Sequence, residues 1–100
     1  LGSPDSITQQ NAAGTLGNLA YNNEDNQNAI REAGAIPHLV TLLQSEDDKT
    51  KQTAAGTLGD LAYNNPDNQD AIRDYIEAHL PELKDMLDKD YLDLYNLIFS

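Results

Sequence analysis

Gln10, Gly14, Asn18 and Tyr21 are spaced so that they would share one face of a helix. Forty-two residues later the stripe returns as Gln52, Gly56, Asp60 and Tyr63. The chemistry of its third position changes between the two copies. An asparagine amide carries an acceptor oxygen and two donor hydrogens, so it can pair with a peptide N–H and C=O together. A carboxylate only accepts, so Asp60 can hold a peptide N–H, a lysine or an arginine but cannot donate to a carbonyl. Polar side chains on an exposed helix face are equally well served by water, and the stripe alone leaves both readings open. Each copy also carries a second glycine, Gly17 and Gly59. A glycine inside a helix costs about 1 kcal/mol relative to alanine. Gly14 and Gly56 on the stripe would leave room for a ligand backbone. Gly17 and Gly59 would let a neighbouring helix come close.

No other constellation assembles a reactive site. The segments NNEDNQN and NNPDNQD are rich in oxygen ligands, but they lack the glycine and the closing glutamate of a calcium-binding loop. Helix capping by Asp25 or Asn26, and by Asp67 or Asn68, is the better use of those residues. His38 and His79 stand apart from each other and from any metal-ligand spacing. Ser6 and Ser45 have no nucleophile-elbow context. Arg31 and Arg73 recur at the repeat offset and are expected to pair with nearby carboxylates. Nothing brings a nucleophile, a base and an oxyanion hole together, so no enzyme, cofactor or metal is expected.

The chain has 100 residues, enough for one domain with a modest core. It contains no cysteine, which removes disulfides, thiolate metal sites and thiol nucleophiles and fits a reducing compartment. The formal net charge is −11, with six lysines and arginines in all. That is too little positive charge for a phosphate-binding face, so nucleic acid is not the expected partner, and basic or neutral partners are favoured. No apolar run approaches the roughly 20 residues of a membrane span.

The elements that must position the stripes follow from the repeat. Gln10–Arg31 aligns with Gln52–Arg73 at 18 of 22 positions. The spacing of Gln52, Ala55, Leu58, Leu61 and Ala62 predicts a helix opening at Asp48. The earlier copy opens at Ser6, where Ser6-Ile7-Thr8-Gln9 reads as a capping box. Both end near Tyr-Asn-Asn. A short helix through Ala29, Ile30 and Ala33 should stop at Gly34 in a left-handed cap. Pro37 then suits the first position of a helix that buries Ile36, Leu39, Val40, Leu42 and Leu43. A period near 40 with helical patterning is the mark of an α-solenoid.

Asn26-Gln27, Ala29 through Pro37, Leu39-Val40 and Leu42-Leu43, followed by Ala54-Ala55-Gly56, Leu58-Gly59-Asp60-Leu61, resemble an armadillo repeat. Two-helix HEAT units lack the short first helix with its glycine turn and rank second. The resemblance covers nearly all of residues 6–73. It implies an all-α, right-handed α-α superhelix: an armadillo solenoid fragment of about two repeats plus a C-terminal cap. It also implies that the long helices line a concave groove, where an asparagine matching Asn18 holds the backbone of an extended peptide. Where part of that family carries a tryptophan one turn earlier, this chain has Gly14 or Gly56. Packed helices lie about 8–10 Å apart and an extended chain advances about 3.3 Å per residue, so successive rungs would touch a peptide every two to three residues.

The expected organisation is therefore an expression-tag remnant at 1–3 and an armadillo domain over 4–100. Within it lie a long helix at 6–22, a complete repeat at 25–65 and a diverged capping repeat at 67–100. In that last unit the Ala33-Gly34-Ala35 turn gives way to Tyr75–His79, a longer turn without glycine. Leu80-Pro81-Glu82-Leu83 then resumes the pattern. Lys84 and Asp85 replace Val40 and Thr41, and the segment from Tyr91 to Phe99 folds back as a shortened third helix. At the other end Ile7, Leu16 and Leu19 would leave an apolar edge uncovered. The expected function is an intracellular (cytoplasmic or nuclear) module that binds a protein or peptide along the long-helix face. The alternative is a capping fragment, or one that self-associates into a homo-oligomer through the N-terminal edge.

Overall fold

A computed structural model describes residues 5–99, so the tag assignment at 1–3 lies outside the described residues. Those residues form seven helices: α1 (Ser6–Ala20), α2 (Glu24–Glu32), α3 (Ala35–Leu42), α4 (Asp48–Ala62), α5 (Pro66–His79), α6 (Leu83–Asp90) and α7 (Leu92–Phe99). The fold is the all-α fragment that the repeat implied. α1 runs along α4, α4 packs in turn on α7, and α2, α3, α5 and α6 form the other wall. Leu39, Leu43, Leu58, Leu61, Ile72, Ile76, Leu87 and Ile98 are fully buried between them.

The two long helices open at Ser6 and Asp48 as expected, but the cap of α1 is Asp5 rather than Ser6. Asp5 caps α1, its Oδ1 accepting from the Ile7 N–H at 2.9 Å. Asp47 caps α4, accepting from the Lys49 N–H at 3.0 Å. These aspartates are themselves repeat partners, and a carboxylate at this position also meets the positive end of the helix dipole. Both helices end at a tyrosine, and the next residue, Asn22 or Asn64, takes a left-handed φ of 54° or 53°. Asparagine tolerates that conformation better than other non-glycine residues. The turn delivers Asn23 and Asn65, not the residues at 25–26 and 67–68, to the caps of α2 and α5. Each accepts from a backbone N–H three residues on, at 3.0 Å.

Gly34 has φ 84° and ends α2 as expected. Pro37 is the third residue of α3 rather than the first, still within the turn whose N–H groups lack helical partners. One repeat later the residue at Gly34's place is Ile76, β-branched and fully buried. It cannot take a positive φ. The expected turn at 75–79 is therefore helix: α5 has 14 residues where α2 has 9. His79 is its last residue, with its ring 4.6 Å from that of Tyr75. Pro81 disfavours helix at Leu80, and α5 stops there.

α7 folds back on α4, α5 and α6 and buries Leu94 and Ile98. Lys84, at the place of the buried Val40, lies half-buried with its Nζ 4.9 Å from the Phe99 ring centroid. The ammonium sits over the ring face, where the aromatic quadrupole attracts a cation.

Candidate functional site

The seam between α1 and α4 sets where the stripe residues point. Thr57 Oγ1 donates to the Ala13 carbonyl at 2.8 Å, a buried bond between the two helices. Gly17 makes this approach possible: a Cβ built there would lie 2.9 Å from Thr57 Oγ1 and 3.1 Å from Asp60 Oδ2. Thus Gly17 serves helix packing, as its position suggested. Gly59 does not: among the described residues, no neighbouring helix comes within 4 Å of the Cβ it lacks.

The C-terminal end of α4 is held by amides. Buried Gln27 donates from Nε2 to the Asp60 carbonyl at 2.7 Å and to the Tyr63 carbonyl at 3.1 Å. Asn65 Nδ2 donates to Gln27 Oε1 at 3.1 Å. Asn68, fully buried, donates to the carbonyls of Leu61 (2.8 Å) and Gln27 (3.1 Å) and accepts from Arg31 at 2.8 Å. Arg31 thus donates to two amide oxygens, that of Asn68 and, at 3.1 Å, that of Asn28, and its expected carboxylate pairing is a long one, with Glu32 at 3.9 Å. Arg73 does pair with carboxylates, Asp70 at 2.8 Å and Asp74 at 3.5 Å. This amide network was missed in the sequence, although its residues repeat as Asn-Gln at 26–27 and 68–69.

Two adjoining clefts open on the α4–α7 side. One, of about 380 Å³, is lined by Tyr21, Asn22, Gly56, Gly59, Asp60, Tyr63 and Leu97. The other, of about 450 Å³, adds Gln52, Ala55, the α6–α7 junction at Asp90 and Tyr91, and the first turn of α7 from Leu92 to Leu94. They share Gly56, Gly59 and Leu97 and so form one trough. Tyr21 and Tyr63 stand at its end, 69% and 53% exposed. Asp60 lies half-buried in its wall, and burial raises its carboxyl pKa above the ordinary aspartate value.

The stripe is thus divided. Gln52, Gly56, Asp60, Tyr63 and Tyr21 meet at the trough. Gln10, Gly14 and Asn18 do not line it. Gly14 instead faces Thr53, whose Cγ2 is 3.7 Å from the Cβ position, while Asn18 is exposed and Gln10 half-buried. Leu97, Asn22 and the first turn of α7 complete the trough. Alignment of Leu80-Pro81 with Ile36-Pro37 was the available signal for them, since it sets Leu97 at the place of Thr53.

A separate apolar hollow of about 250 Å³ lies on the N-terminal edge, lined by Leu16, Leu19, Asn26, Ala29, Ile30, Ala33 and Ala35. Leu19 is 51% exposed, and Ile7, 67% exposed, lies outside the hollow. Among the described residues no group of three or more His, Cys, Asp or Glu could hold a metal ion, and no helix is long and apolar enough to cross a membrane.

Comparison with protein families matches residues 23–63 to the armadillo/beta-catenin-like repeat. The matched segment runs from the α2 cap to the tyrosine that closes α4. Comparison with curated proteins and with solved structures gives no match.

Proposed function

With residues 23–63 an armadillo-type repeat, of a kind that commonly serves as a protein-interaction module, we propose that the chain binds a segment of a partner protein along the face of α1, α4 and α7. The observation that supports this most is the trough. Two exposed tyrosines, an aspartate and two glycines converge there with Leu97 on a wall fixed by the amide network. Aromatic rings offer contact area at small entropy cost, glycines admit a backbone, and Asp60 accepts from a lysine, an arginine or a peptide N–H. A net charge of −11 favours a basic or neutral ligand. In this reading Asn18 with Gln10 and Gly14 forms an outer rung, while 67–100 caps the repeat at 25–65. The setting is intracellular, and no chemistry is performed.

Titration of a lysine- and arginine-bearing peptide library, followed by amide chemical shifts, tests the reading. Binding should perturb Gly56, Asp60 and Tyr63, and Asp60→Ala with Asn18→Ala should weaken it at least tenfold. No binder in the library, or unchanged affinity in the double variant, refutes it. A second reading is supported by the exposed Leu19 and its hollow: the N-terminal edge takes a further helical unit or a second copy of this chain. Light scattering that finds a strict monomer up to millimolar concentration would remove the second-copy form.

A further inference from the structure

We draw no further inference here: the strongest candidate, the apolar hollow on the N-terminal edge lined by Leu16, Leu19, Ala29 and Ile30, carries none, because nothing in the structure shows what covers it.

Discussion

Gly17 and Gly59 are repeat partners in the same helical context, yet alanine at the two positions should act with opposite signs. In a helix interior, replacing glycine by alanine gains about 1 kcal/mol from propensity. At Gly59 nothing opposes this gain, because the new methyl group points into the trough. Gly59→Ala should therefore raise the melting temperature by roughly 4–8 °C, the usual response of a chain this size to about 1 kcal/mol. At Gly17 the methyl would stand 2.9 Å from Thr57 Oγ1 and 3.5 Å from the Thr57 Cα. A threonine hydroxyl has no flexible stem on which to retreat. It can move only by rotating away from the Ala13 carbonyl, leaving a buried polar group unpaired at about 1–3 kcal/mol. Overpacking adds about 1–3 kcal/mol if the helices must separate as well. After subtraction of the propensity gain, Gly17→Ala should destabilise by about 1–5 kcal/mol when both costs apply and by no more than about 2 kcal/mol when only the hydroxyl bond is lost. Urea unfolding followed by circular dichroism measures both variants against the parent. In the background of Thr57→Ala the penalty at Gly17 should largely disappear, because the group that it crowds is gone. If Gly17→Ala stabilises as much as Gly59→Ala, the close seam between α1 and α4 is not the reason for the glycine.

Asn68→Ala should cost about 2–4 kcal/mol, since it strips partners from two buried carbonyls and from Arg31. Asn26→Ala removes one partly exposed bond to the Leu19 carbonyl and should cost about 1 kcal/mol; urea midpoints distinguish the pair. Asp60 has a folded-state pKa raised by burial above its ordinary 3.8, so the folded state holds that proton more tightly and the charged carboxylate opposes folding. The stability of Asp60→Asn relative to the parent should thus rise as pH increases from below 3.8 to neutral, read from melting temperatures at each pH; a flat difference refutes it. Leu19→Lys should leave the melting temperature within about 2 °C while abolishing any concentration-dependent association seen by light scattering, because this side chain is half exposed.

The repeat, its long helices and the Gly34 turn were legible because each rests on a local signal: apolar spacing, or a residue that alone accepts the required φ. The caps of α2 and α5 were not. In Asn-Asn-Glu-Asp-Asn several neighbours could each cap a helix, and the choice follows from which asparagine goes left-handed, here Asn22 and Asn64. The extension of α5 is readable in principle, since Ile76 occupies the glycine's place and a β-branched residue there removes the turn instead of lengthening it. The division of the stripe could not be read from either copy. Gly14 and Gly56 have nearly the same sequence neighbours, and what separates them is the helix stacked on each, Thr53 of a full α4 or Leu97 of a short α7.

The amide network has a mechanical consequence. Apolar faces of two near-identical units can slide past one another by a helical turn, about 5.4 Å, and still bury similar area. Gln27, Asn65 and Asn68 cannot, because each bond runs to one carbonyl or amide of the adjoining helix at 2.7–3.1 Å. The network turns a continuous sliding surface into a ratchet with one engaged tooth. The angle between units is then fixed by discrete bonds, and the α1–α4–α7 face behaves as a rigid gauge rather than a compliant glove.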